Sequence, residues 1–437
     1  MSLHTLKRRE FLQGGALALG GAFVTSRLAF AGTGADTKAR FVFILMRGAL
    51  DGLAAVPPYG DPDYAGLRRE LALRAPSSSG TERGSAVGGA LPLNGFFGLH
   101  PSLTFLRDSY VAQELVVFHA IASPYRERSH FDGQDVLESG VVQPHAVQTG
   151  WLNRALASMQ GQSKELGVAL GQNIPLVMRG PASVTSWSPS KLPALDEDTL
   201  ERITDLYAGD PLLASRLADA LAADAIAGES SMDGMPVLRT AGANRQATPA
   251  MQASAAGSPT TQGAKPGRYV ELVRAVAGFL RRPDGPQVAV FDTTGWDTHA
   301  NEGAAEGQLA GRLAALDAGL RVLKEELGPT WNNTAVVLAT EFGRTAATNG
   351  TRGTDHGTAT AAFLLGGAVQ GGRVIADWLG LSSRALYQGR DLKPTADLRS
   401  LLKGVLSEHL LVTSDALETS VFPNSRDAKP VKGLFRA

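Results

Sequence analysis

The chain contains no cysteine. No disulfide can form, and no thiol can serve as nucleophile or metal ligand, so any metal site must draw on His, Asp, Glu, Asn or hydroxyl oxygens. An excess of charge is missing too: 42 Lys plus Arg stand against 42 Asp plus Glu. That balance gives no electrostatic footing for nucleic acid or an anionic membrane surface. No apolar run is long enough for a stable membrane span. There is neither a Gly-x-Ser-x-Gly elbow nor a P-loop. Ser188-Pro-Ser-Lys191 has the Ser-x-x-Lys spacing of penicillin-binding enzymes, but no Lys-Thr-Gly follows it. What is present is length: 437 residues at 43% hydrophobic are ample for a large core.

The N-terminus reads as a targeting segment. Lys7-Arg8-Arg9-Glu10-Phe11-Leu12 precedes a Gly/Ala-rich apolar stretch from Gly14 to Val24, and Ala29-Phe30-Ala31 offers a small-residue cleavage point. The paired arginines resemble the twin-arginine signal, an address read by the Tat translocase and not an anchor. Residues 1–31 are therefore expected to be a Tat signal peptide and the mature protein to be periplasmic. The leader holds four of the 42 basic residues and one of the 42 acidic ones, so the mature chain has a net charge of −3.

After the leader the pattern is α/β. The run Arg40–Met46 predicts a buried strand, followed by polar Arg47 and Asp51. Residues 75–95 predict a surface loop, Pro101–Ala112 a helix, Glu114–His119 a strand, and Asp132 the start of another helix that Ser129 or Asp132 would cap. Helical periodicity covers 195–227. Residues 227–267, rich in Gly, Ala, Ser, Thr and Pro, predict a flexible low-complexity insertion. Then come a helix at Tyr269–Arg281, a strand at Gln287–Asp292, a helix at Ala304–Leu327 and strands at Thr334–Thr340 and Ala361–Gly366. This alternation predicts one domain over residues 32–437: a mostly parallel central sheet flanked by helices, interrupted by the insertion at about 227–267.

Polar groups gather beside the strand ends, where open α/β sheets place their sites. Asp51 follows the first strand, Asp297-Thr-His299 the strand ending at Asp292, and Glu341-Phe-Gly-Arg344 the next. Asp355-His356 precedes the strand at 361. Imidazole and carboxylate are the ligand types that suit zinc or manganese. Asp132 and Asp135 read as helix-face residues, His100 as a loop residue against the core and His119 as a satisfied buried histidine. His145 and His409 carry no constellation. Trp151 and Trp296 read as core fillers, with Trp296 near enough to wall a pocket.

The stretches FVFILMRGALDGL, LHPSL, RSHFDGQDVLESG, GWLNRAL, GWDTHAN, ATEFGRT and GTDHGTAT, from about residue 40 to 380, resemble the DUF1501 family of exported bacterial proteins. Their order of Asp, hydroxyl, Asp…His, acidic residue and late His resembles the alkaline phosphatase-like superfamily, which includes the sulfatases. That resemblance implies an alkaline phosphatase-like fold and a metal-dependent hydrolase of phosphate or sulfate esters. It implies a divalent cofactor (zinc, manganese or calcium, one ion or two) and an anionic small-molecule or polymer substrate. By the same resemblance Asp51, Asp297, His299, Glu341 and His356 would be metal ligands, Ser129 the hydroxyl nucleophile with His130 beside it, and Arg344 a fork orienting the anion. Two departures from the superfamily pattern are visible. Phe342 stands where an imidazole ligand is usual, and the 297–299 spacing is short. A one-metal site, or a two-metal site richer in oxygen, fits them best. The alternative reading is a non-catalytic periplasmic binding or assembly protein on the same fold.

Overall fold

The computed structural model describes residues 39–76, 88–159, 166–171, 173–188, 197–207, 209–232 and 266–436. The polypeptide divides into two units, residues 1–39 and 40–437. The expected signal peptide lies outside the described residues, as do the centre of the expected 75–95 loop and all of the 227–267 insertion except its two ends.

Nine strands form one sheet: β1 (Arg40–Arg47), β2 (Leu115–Ala122), β3 (Gly167–Leu170), β4 (Val184–Trp187), β5 (Val288–Thr294), β6 (Thr334–Ala339), β7 (Thr360–Leu365), β8 (Arg373–Ile375) and β9 (Ala396–Asp397). Their order is β8-β2-β7-β6-β1-β5-β3-β4, with β9 also on β2. Continuous apolar sequence explains the centre: β1, β2 and β6 are buried along essentially their whole length because helices cover both faces. Each fully buried Val, Leu, Ile or Phe contributes about 1.5–3 kcal/mol. β1 runs parallel to β5 on one side and β6 on the other, with Ile44 opposite Phe291 and Leu338.

β7 is the exception. It is antiparallel to both β6 and β2. The reversal matters because residues just before a parallel strand would lie at the far edge of the sheet. Running backwards, β7 starts at the edge where β1, β2, β5 and β6 end. Five strand termini, joined to four connections, therefore meet along one rim.

The flanking helices are α1 (Gly52–Ala55), α2 (Tyr64–Arg68), α3 (Thr104–Val111), α4 (His130–Ser139), α5 (Trp151–Ser158), α6 (Glu197–Tyr207), α7 (Pro211–Met232), α8 (Pro266–Arg281), α9 (Gln308–Leu327) and α10 (Leu398–Glu408). The segment expected as one helix at 195–227 is two, and Pro211 opens the second because a helix tolerates proline in its first turn. On α9, Leu309, Leu313, Leu316, Leu320, Leu323 and Leu327 repeat every three or four residues and bury one face. Asp317 of α9 accepts from the amides of Phe105 (2.8 Å) and Leu106 (3.0 Å), satisfying the open N-terminus of α3. α4 starts at His130, two residues earlier than expected, after Ser129 in extended backbone, and stops at left-handed Gly140. No helix among the described residues is long and apolar enough to cross a membrane.

Candidate metal centre

Four side chains converge on the rim. His130 opens α4 beyond β2, Asp297 and His299 follow β5, and His356 precedes β7. Ligand atoms of His130, Asp297 and His356 lie within 4.8 Å of one another. His130 Nε2 is 2.9 Å from His356 Nε2 and 3.5 Å from Asp297 Oδ2. His299 Nε2 lies 3.0 Å from both His356 Nε2 and Asp297 Oδ1, so it extends the group.

The back of each imidazole explains why the fronts converge. His130 Nδ1 donates to Glu341 Oε1 at 2.7 Å, His356 Nδ1 donates to the Arg128 carbonyl at 3.0 Å, and His299 Nδ1 faces Asp355 Oδ1 at 3.5 Å. Nδ1 of His130 and of His356 is thus engaged by a hydrogen bond, and Nε2 of all three rings points at the other members of the group, the orientation that metal-binding histidines take. Lone pairs facing one another at 2.9–3.0 Å repel unless a metal ion or a proton sits between them. A tetrahedral ion with bonds of about 2.0–2.1 Å spreads its ligand atoms about 3.4 Å apart, close to the spacings here. Burial disfavours the charged form of His130, but Asp297 and Glu341 outweigh it and push its pKa up to about 9. Without a metal ion, a second proton supplies the positive charge that the two carboxylates attract.

Asp297 is similarly committed. Burial works against its charge, yet His130, His356 and Arg344 hold its carboxyl well below the ordinary range. Arg344 Nη1 donates to Asp297 Oδ1 at 2.5 Å and Nε to Thr354 Oγ1 at 3.1 Å, while Nη2 donates to the Thr354 carbonyl. Phe342 is buried with its ring centroid 5.0 Å from that of His130 and 5.2 Å from that of His356, and so walls the site. Gly48 shapes it from the residue after β1. Its φ is +119°, and a Cβ there would meet the Asp297 amide nitrogen at 2.7 Å.

The expected residues divide as follows. Asp297, His299 and His356 come together. His130, expected beside a nucleophile, stands in the group itself and supplies the imidazole that Phe342 does not. Glu341 does not face the centre. Its Oε1 accepts from His130 Nδ1, Gln134 Nε2 (3.2 Å) and the Gly48 amide (2.9 Å), and its Oε2 accepts from Thr340 (2.8 Å). Asp51 is elsewhere: buried, it caps α1 through the Ala54 amide (2.9 Å) and pairs with Arg68 at 2.6 Å. Arg344 is fully buried behind Asp297, so its guanidinium has no face for an anion. Ser129 holds the N-cap position of α4, but its side chain makes no capping bond; its amide donates to Tyr125 Oη at 3.2 Å.

Other groups were missed. Arg390 is exposed and donates to the His356 carbonyl at 2.9 Å, and Arg128 is anchored on Asp391 at 2.8 Å. Both are cations at the rim. His145 does have partners: its Nε2 lies 3.0 Å from Asp132 and its Nδ1 3.3 Å from Asp135. These contact opposite sides of the ring and share no centre. His119 is the satisfied core histidine expected, with Nε2 donating to the Val56 carbonyl and Nδ1 accepting from the Ala120 amide. His100 and His409 bond backbone carbonyls in the same way.

Residues 38–419 match the profile of the family described as "Protein of unknown function (DUF1501)". The chain belongs to the DUF1501 family. No curated protein matches it. Among solved structures it is distantly similar to Ps i-CgsB in complex with k-i-k-neocarrahexaose (11% identity, 77% of this chain and 68% of that one, TM-score 0.33). It is also similar to the phosphonate monoester hydrolase of Agrobacterium radiobacter (10%, 77% and 70%, TM-score 0.31). A third likeness is to a 2-O GAG sulfatase (12%, 78% and 67%, TM-score 0.23).

Proposed function

We propose that this DUF1501 protein is an exported, metal-dependent hydrolase of phosphate or sulfate esters. The observation that carries the reading is the set of three imidazoles with Nε2 turned inward beside Asp297, two of them held by hydrogen bonds at Nδ1. His130, Asp297 and His356 would hold one divalent ion, zinc or manganese by their donor chemistry, with His299 as fourth donor. A bound ion would supply positive charge to an oxyanion developing on the ester. The chain's own residues do the rest. Arg390 and Arg128 place cationic charge at the rim, which favours an anionic substrate. Phe342 keeps one wall dry, and Arg344 holds Asp297 ionised. Ser129, one residue before His130 and free of a capping bond, is the hydroxyl available as nucleophile at the start of α4.

The twin-arginine leader supports export to the periplasm, with the Tat translocase as partner. Export of a folded chain lets the centre be filled in the cytoplasm, so the uncleaved precursor should carry metal. For the function itself, metal analysis of the mature protein is combined with turnover of aryl phosphate and sulfate esters. The expected result is bound metal and ester cleavage, both lost in Asp297→Ala and His356→Ala. A protein that binds no metal, or cleaves esters equally well with either substitution, sinks the proposal. One observation favours the binding-protein alternative: Phe131, next to His130, is a large apolar side chain 85% exposed. Metal-bound protein without turnover of any ester would select it.

A further inference from the structure

Behind the centre lies a carboxyl group that none of its ligands touches. Glu302 is fully buried, and its Oε2 accepts two hydroxyl bonds, from Thr298 at 3.0 Å and Thr354 at 2.8 Å. Thr298 sits between Asp297 and His299, and Thr354 lies two residues before His356. The Thr354 amide also donates to the Thr298 carbonyl at 3.2 Å. Thr354 Oγ1 in turn accepts from Arg344, the residue that holds Asp297. On the far side, Glu302 Oε1 is 3.5 Å from Arg68 Nη2, whose other partner is Asp51. A single carboxyl oxygen therefore joins the two loops that carry Asp297, His299 and His356.

We propose that Glu302 is the positioning residue of the metal centre. It clamps the loop after β5 to the loop before β7, so that their ligands share one point. The proposal rests on the reading of that centre as a metal site. It also accounts for a buried triad with two carboxyls and one guanidinium. Burial and the Asp51 charge raise the Glu302 pKa to about 8 against the pull of Arg68. A neutral Glu302 beside Asp51 and Arg68 leaves the triad uncharged overall. The clamp therefore needs an acceptor oxygen and not a negative charge.

The test is zinc titration of the full-length protein against a competing chelator, with unfolding followed in parallel. Removing an outer-shell partner typically costs 10–100-fold in metal affinity. Glu302→Leu, Thr298→Val and Thr354→Val are each expected to weaken zinc binding by about that factor, while Glu302→Gln, which keeps an acceptor oxygen, stays within about threefold of wild type. Asp317→Asn, at a buried carboxylate that bonds the start of α3 and no residue of the centre, is the control. It should lose stability without losing zinc. Unchanged zinc affinity in folded Thr298→Val and Thr354→Val overturns the clamp, as does Glu302→Gln failing as badly as Glu302→Leu. Should Glu302→Leu not fold, the two threonine variants decide. Should the wild type bind no zinc, the metal reading fails separately. Hydrogen exchange at the Thr354 amide then tests the clamp alone: faster exchange in Thr298→Val supports it, and unchanged exchange overturns it.

Discussion

Glu341→Gln is the sharpest probe of the centre, because it changes one charge and almost no volume. Glu341 is buried and its pKa is held below the ordinary range: burial opposes this, but His130, Thr340 and the Gly48 amide prevail. Four donors fix its orientation. In the glutamine variant the carbonyl can stay on His130 Nδ1 while the amide turns to Thr340, so the imidazole keeps its tautomer but loses the charge that makes it a strong donor. Changes of this kind cost 10–100-fold in metal affinity, or about 1.4–2.7 kcal/mol. The comparison is Asp355→Asn. Asp355 stands 3.5 Å behind His299 and its side chain is 53% exposed, so solvent screens its effect and a loss of about two- to fivefold is expected. The assay is zinc competition with a chromophoric chelator at fixed pH, with thermal unfolding as control. If Asp355→Asn costs as much as Glu341→Gln, or neither moves the affinity, these residues do not orient ligands and the centre is not a metal site.

Three further outcomes follow from the same geometry. Burial lowers the pKa of His119 from 6.5 to about 4; the unfolded chain therefore takes up its proton first, and stability present above pH 6.5 is lost as pH falls towards 4, by about 3 kcal/mol in all. Urea midpoints between pH 7 and pH 4 should show this slope in wild type and a flatter one in His119→Gln; equal slopes refute it. Gly48→Ala combines a positive-φ cost with a clash against the Asp297 backbone, about 2–5 kcal/mol together, and should weaken zinc binding as well; a variant with wild-type unfolding and zinc titrations would contradict this placement. Arg68→Met leaves two buried carboxyls without their guanidinium, which should cost about 3–5 kcal/mol by chemical denaturation; a loss under 1 kcal/mol would mean that the triad is neutral without it.

The central strands were legible because apolar runs with polar ends have few other uses: Arg40–Met46, Thr334–Thr340 and Ala361–Gly366 read correctly to within a residue or two. The short strands β3, β4 and β8 were not, being three or four residues long. The direction of β7 was not legible either, since period and composition are the same for parallel and antiparallel strands, and that direction brings His356 to the rim. Asp51 misled because an acidic residue after a first strand reads alike whether it faces a site or caps a helix; what separates the cases is Arg68, 17 residues further on. His130 had a signal, an imidazole at a helix start beyond a strand end, but its partners are 167 and 226 positions away in the chain.

The reversal of β7 has an evolutionary consequence. A crossover between parallel strands must travel the full height of the sheet and return. The segment from Thr340 to Ala359 leaves β6 and enters β7 at the same rim, so it is a hairpin connection that can lengthen, shorten or be exchanged without rethreading the core. It carries Glu341, Arg344, Thr354 and His356 together. The segment is in effect a cassette that can be remodelled by insertion at the mouth of the centre, while the Arg128 carbonyl behind His356 and the Glu302 carboxyl behind Thr354 stay in the rest of the chain.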